Sequence, residues 1–195
     1  MITAQDVKKL RDKTGASMIA CKNALEESGG DFEKAVKVLQ KRGLKVADKK
    51  LGRNACEGYI GSYVHSNGKV AVLVEVNCET DFVARNSDFQ ELAHDLAMHV
   101  AALNPQYVEY SQIDPEIIKE KKAEFMESVA KEKKPKEIME RIVEGKMKKH
   151  FDEVCLLSQT YVKNPDQTVK DLVTDMIAKL GENIIVKRFV RFEIQ

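Results

Sequence analysis

Apolar residues recur at helical spacing three times in the first 43 residues, and each run has a capping residue before it and glycine after it. Thr3 can cap the first run, which carries Val7 and Leu10 on one face, with Asp6 at the capping-box position where Glu or Gln is more usual. Gly15 breaks that helix. Ser17 restarts a second with Met18, Cys21, Ala24 and Leu25, ended by Gly29-Gly30. Asp31 caps a third, in which Phe32, Ala35, Val36 and Leu39 repeat until Gly43. Residues 44–56, with Lys45, Lys49, Lys50 and Arg53, read as a solvated connector that begins helical.

The period then changes from helix to strand. Tyr59 to His65 and Lys69 to Val76 flank Asn67-Gly68, a strong hairpin signal, and Val70, Val72, Val74 and Val76 alternate on one face. A helix is expected over Ser87–Leu103, with Phe89, Leu92, Ala93, Leu96 and Val100 as its apolar stripe. Residues 114–150 interleave Glu and Lys. They read as a solvent-exposed helix pair, opened by Asp114-Pro115 and resumed after Lys134-Pro135. A helix over Thr168–Leu180 stops at Gly181. A last strand over Ile184–Ile194 is expected to place Ile184, Val186, Val190, Phe192 and Ile194 on one face. The pattern predicts an α+β fold: a three-helix head over residues 1–54, then an antiparallel-sheet core packed with helices over residues 55–195.

Charge adds a division that the total conceals. The 195 residues carry 32 Lys and Arg against 31 Asp and Glu, a formal charge of +1. Residues 1–54 hold 13 basic and 7 acidic side chains, net +6, whereas residues 55–113 hold 2 and 8, net −6. The near-neutral total argues against a dedicated nucleic-acid binder. The lysines at 45–53 and 131–136 have few aromatics among them for stacking.

The elements of an enzyme are missing from the pattern. Cys21, Cys56, Cys78 and Cys155 form no C-x-x-C pair, and His65, His94, His99 and His150 form no H-E-x-x-H, so no metal site is expected. Tyr63 stands where a phosphate loop ending in Gly68-Lys69 needs glycine, and Gly58-Tyr-Ile-Gly61 lies in a strand-like stretch. No cofactor is called for. No apolar run approaches the roughly 20 residues that span a bilayer, and Met-Ile-Thr-Ala-Gln-Asp lacks the features of a signal peptide, so the chain reads as cytoplasmic.

Thr80-Asp81-Phe82-Val83 is the oddest short stretch. Thr80 can cap a helical turn that puts Asp81 in its first turn, straight after a strand. From pattern alone, the burial habit of aromatic residues favours Phe82 as core. The run Cys78-Glu-Thr-Asp-Phe-Val-Ala-Arg-Asn86, after Glu75-Val-Asn77, resembles the signature of bacterial elongation factor Ts. Val7-Lys-Lys-Leu-Arg-Asp-Lys-Thr-Gly-Ala16, Cys21-Lys-Asn-Ala-Leu25 and Gly30-Asp31 agree with it, as do Glu144-Gly-Lys-Met-Lys-Lys149 and Val190-Arg-Phe-Glu193. Ser17 and Ile19 depart from the Gly and Met often found in the family.

The resemblance implies a non-catalytic guanine-nucleotide exchange factor for elongation factor Tu, with a UBA-like head. Thr80, Asp81, Phe82 and Val83 would disturb the Mg²⁺ and phosphate site of that GTPase and promote GDP release. Lys8, Arg11, Met18 and Ile19 would dock the head, and Val162 and Lys163 are weaker candidates for contact with the partner's β-barrel domains. Longer members carry a second half-core and a helical hairpin. This chain resembles the compact, single-core form, so a second subunit in a homodimer can supply the missing half. No direct nucleic-acid or membrane contact is implied. Two rival readings remain at this stage: an RNA binder using the lysine clusters, and a ubiquitin-type binding module, which leaves residues 55–195 unexplained.

Overall fold

The first helix, α1 (Ala4–Thr14), begins with a reciprocal cap. The Asp6 backbone N–H donates to the Thr3 hydroxyl at 3.2 Å, while the Thr3 backbone N–H donates to the Asp6 carboxylate at 3.0 Å. Aspartate therefore completes the capping box in place of the longer glutamate. Gly15 closes the helix in the left-handed conformation, φ 67°. Ser17 caps α2 (Met18–Glu27) through the Ala20 N–H, and Asp31 receives the Lys34 N–H at the start of α3 (Phe32–Lys50). Val7, Leu10, Cys21, Ala24, Leu25, Ala35 and Leu39 form the core of this head.

The structure is a computed structural model, and it describes residues 2–50, 52–130 and 135–194. The lysines at 131–134, including the Lys134 expected to precede the second helix of the charged pair, lie outside the described residues.

Gly43 does not end the third helix. A Cβ there would lie 3.4 Å from that of Ala178, so the glycine serves close helix packing and α3 continues to Lys50. Most of the expected connector is thus rigid helix. Ala47, within it, is buried in the second core. The head is joined to the rest of the molecule through that helix.

The second core lies beneath an antiparallel sheet ordered β1 (Glu57–Val64), β2 (Val70–Cys78) and β3 (Ile185–Glu193). Val72, Val74 and Val76 face inward, as the alternation predicts. They pack against α5 (Ser87–Leu103), whose Phe89, Leu92, Ala93, Leu96 and Val100 are buried, and α8 (Val169–Leu180) completes the layer with Val169, Val173 and Ile177. Burying each such side chain contributes about 1.5–3 kcal/mol.

The last strand departs from its expected single apolar face. Arg188 pairs with Glu75, but the next residue of β2, Val76, pairs with Val186, leaving Lys187 bulged. The bulge exchanges the two faces. Ile184 and Val186 are buried as expected, whereas Val190, Phe192 and Ile194 are exposed and Phe189 turns toward the core.

The charged pair is α6 (Pro115–Ala130) and α7 (Lys136–Val154), with Val129 and Val143 buried. A helix pair is therefore present in this single-core chain, although the resemblance assigned a helical hairpin to longer members. Its base rests on Ile113, Phe151 and Cys155. Between α4 (Asp81–Ala84) and its neighbours lies the candidate site described below.

Two positions make the packing testable. A Cβ on Gly61 would stand 2.2 Å from the Ala93 carbonyl oxygen, so α5 sits directly on the strand backbone. Gly61→Ala is expected to cost about 2–3 kcal/mol, lowering Tm by roughly 5–10 °C in a chain of this size, read by a thermal melt. His99, fully buried, receives the Val162 N–H on Nδ1 at 3.2 Å and donates from Nε2 to Gln159 at 2.9 Å, so it is neutral. Burial holds its pKa below the usual histidine value. The unfolded chain then binds the proton first, and His99 loses stability for the fold as pH falls below about 6.5. Asp175, on the side of α8 turned to Gly43 of α3, is pushed up to about 6 by desolvation there and then by the Asp171 carboxylate, and gives the opposite slope. Comparing wild type with His99→Gln isolates the histidine: the Tm gap between them is expected to narrow as pH falls from 7.5 to 5.

Candidate partner-binding site

Thr80 to Val83 form one capped corner between a buried strand and a buried helix. The Thr80 hydroxyl accepts the Val83 N–H at 3.4 Å, which caps α4, and the Cys78 thiol donates to the Thr80 carbonyl at 3.1 Å. Ala84 closes the turn against the core, and Asn86 caps α5 by accepting the Asp88 N–H at 2.8 Å. Phe82 is 83% exposed. The core position favoured by pattern alone is therefore incorrect: Ala84 takes the inward place, and the turn carries Phe82 to the outside. Asp81 lies beside it with its carboxylate 3.2 Å from Arg85, one turn on. That pair is solvent-exposed and contributes little to stability.

The corner is held from beneath. Glu182, after α8, accepts the backbone N–H groups of Glu79 and Thr80, each at 3.0 Å, and the Thr80 hydroxyl at 2.6 Å. In return Glu79 accepts the Asn183 N–H at 2.7 Å, and Arg53 lies 3.4 Å from its other oxygen. The Asn183 N–H, with Arg53, holds the Glu79 carboxyl below the usual range despite partial burial. Burial, and then the Glu182 carboxylate, push the Cys78 thiol up to about 11, so Cys78 is a neutral hydrogen-bond donor at neutral pH.

No sequence signal pointed to Glu182 or Asn183, and Glu79, although inside the matched run, had no role assigned to it. The bonds that join Glu182 and Asn183 to the corner span more than a hundred residues of chain. Only the left-handed Gly181, expected as a helix stop, marks the place where the chain swings back to the corner.

The head candidates are all at the surface. Lys8 and Arg11 lie one turn apart on α1, and neither forms an ion pair among the described residues. Met18 and Ile19 open α2, and Ile19 is 74% exposed. Val162 is exposed too, although its backbone N–H is engaged by His99. Lys163 is committed locally: its ammonium group lies 2.6 Å from Asp95, which also accepts the Tyr161 hydroxyl at 2.6 Å. The structure gathers Thr80–Val83 into one feature and leaves Val162 and Lys163 on a separate segment that packs on α5.

Among the described residues, no three His, Cys, Asp or Glu side chains gather into a metal-binding group, and no helix is long and apolar enough to cross a membrane. Cys56 is exposed, while Cys21, Cys78 and Cys155 are buried and unbridged.

A family model described as elongation factor TS matches residues 4–195. The chain is 54% identical over 193 residues to elongation factor Ts of Thermodesulfovibrio yellowstonii, covering 99% of this chain and 96% of that protein. It is 51% identical over 194 residues to elongation factor Ts of Carboxydothermus hydrogenoformans, covering 100% and 89%, and 53% identical over 193 residues to that of Nitratidesulfovibrio vulgaris, covering 99% and 96%. A family model over nearly the whole chain, and relatives identical at about half of the positions along its length, establish that the chain belongs to the elongation factor Ts family of translation elongation factors.

Proposed function

We propose that this protein is a guanine-nucleotide exchange factor for elongation factor Tu, working in the cytoplasm during translation elongation. The observation that carries the reading is the display of Phe82: a large apolar ring, almost fully solvated, on a turn anchored at both ends. Scattered surface hydrophobes are ordinary, but a rigidly presented aromatic loses little entropy on docking and is a typical hot spot of an interface.

In the proposed encounter the basic head approaches the nucleotide-binding domain of the GTPase. Lys8 and Arg11 supply charge, and Met18 and Ile19 supply apolar contact. Phe82 and Asp81, with Thr80 and Val83 as their support, then enter beside the Mg²⁺ and phosphate groups. Mg²⁺ is held there by phosphate and protein oxygens in a demanding geometry, so small displacements of its shell weaken nucleotide binding. Asp81 leaves Arg85 and competes for donors near the ion; it is not a metal ligand of this chain. Val162 is a secondary contact, and Lys163 joins it only by giving up Asp95. No bond chemistry and no cofactor are involved, and neither nucleic acid nor membrane is a direct partner.

The outer face of the sheet supports pairing with a second copy. Val64, Ala71 and Phe192 lie in one cross-strand row and Ser62, Leu73 and Val190 in the next, and Ile60 and Ile194 extend the apolar surface. Phe192 is 63% exposed. A contiguous apolar face of this kind suits a sheet-on-sheet contact between protomers.

Release of labelled GDP from purified elongation factor Tu tests the exchange reading. The chain is expected to accelerate release, and Phe82→Ala to lower the maximal rate at least thirtyfold, the effect of losing about 2 kcal/mol at a buried aromatic anchor. Full acceleration by the variant would sink the wedge. Sedimentation tests the pairing: the wild-type chain is expected as a dimer and Phe192→Asp as a monomer, whereas a wild-type monomer would count against a shared core.

A further inference from the structure

The carboxylate of Glu182 sits where three donors converge. One oxygen takes two consecutive backbone N–H groups, from Glu79 and Thr80, and the other takes the Thr80 hydroxyl proton. The hydroxyl works in both directions: it donates to Glu182 and accepts the Val83 N–H that starts the Phe82 turn. The neighbouring connection runs in reverse, from the Asn183 N–H to Glu79. Two segments remote in sequence are therefore clasped by a carboxylate from each side, and the Asn183 side-chain amide extends the clasp by donating to the Arg53 carbonyl at 2.9 Å.

A neutral amide replaces this carboxylate only at a cost. A glutamine carbonyl can keep the two backbone N–H groups, but its NH₂ then faces the Thr80 hydroxyl, which must turn and accept where it now donates. Bonds to the charged acceptor are also about twice as strong as neutral ones.

Glu182 stands at the end of α8, and α8 packs against α3 where Gly43 meets Ala178. Helix α3 is also the last helix of the head. We infer that Glu182 is a positioning residue for nucleotide exchange: it ties the Thr80 corner to the end of α8 and so fixes Phe82 relative to the head. The inference rests on the exchange reading above. It adds that the separation between docking head and wedge is held by a specific carboxylate, so that engagement of one places the other. A loosened corner still leaves the head free to bind, but Phe82 then samples positions that do not disturb the nucleotide site. Misplacement by about 1 Å can cost as much as a hundredfold in rate.

The test uses full-length Glu182→Gln and Glu182→Ala, each alone and combined with Phe82→Ala, in labelled GDP release at temperatures well below the measured Tm. Each single variant is expected to lower the maximal release rate roughly tenfold, with the half-saturating concentration changed less than about twofold because the head is intact. In the Phe82→Ala background, loss of Glu182 is expected to add nothing, since it acts through that ring. Glu182→Asp, which keeps the charge, should recover part of the rate. Amide hydrogen exchange provides a readout independent of exchange activity: Glu182→Ala should reduce protection of the Glu79 and Thr80 amides at least tenfold while β2 and α5 remain protected. Unchanged protection, an unchanged maximal rate, or a loss that simply adds to that of Phe82→Ala would overturn the assignment. If the wild-type chain fails to release GDP while the amide result holds, the exchange reading fails and the role of Glu182 in exchange goes with it, leaving the clasp as a structural feature.

Discussion

Between Cys78 and Phe89, neither of which is exposed, the chain turns from a central strand into the helix that covers it. Both ends of this corner are fixed by burial, and the segment between them makes a four-residue helix that turns Ala84 inward. A single helical turn has only one side against the core, so Phe82 is left on the outside. Glu182 takes the backbone N–H groups of Glu79 and Thr80, and the Glu79 carboxylate takes that of Asn183, so the corner is sealed without covering the ring. The solvated phenyl ring costs apolar exposure, and the fold tolerates it because the surrounding cores bear the stability.

The same economy runs through the connection to the head. A connector of Lys45, Lys49 and Lys50 looks solvated when read as charge alone, yet the helix bearing them buries Ala47 and lays Gly43 on Ala178. The +6 head and the −6 segment behind it are thereby presented by one continuous framework. In the proposed encounter the two sides would meet different surfaces of a single protein partner, a role with which a near-neutral total charge is compatible.

Local chemistry was legible in the sequence. The caps at Thr3, Ser17 and Thr80, the left-handed Gly15 and Gly181, and the Asn67-Gly68 hairpin are encoded within a few residues of their effect. The positions that escaped it depend on partners far along the chain. Gly43 looks like a stop because a helix-packing glycine and a capping glycine are the same residue. Val190, Phe192 and Ile194 keep perfect alternation with Ile184, and only the pairing against β2 shows that Lys187 bulges and turns them outward. Nothing local to Lys163 signals that Asp95 stands beside it, and Glu182 has no local motif at all. At the candidate site, the resemblance in Cys78–Asn86 singled out the corner, whereas burial habit alone pointed Phe82 the wrong way.

If the exposed ring and its fixed corner act by weakening the hold on nucleotide, then nucleotide must weaken the hold on this protein by the same factor. Calorimetric titration of the chain into elongation factor Tu, once nucleotide-free and once saturated with GDP, measures that coupling directly. Binding is expected to be tighter to the nucleotide-free form, by a ratio equal to the loss of GDP affinity that the chain causes. Equal affinity for the two forms would contradict that coupling.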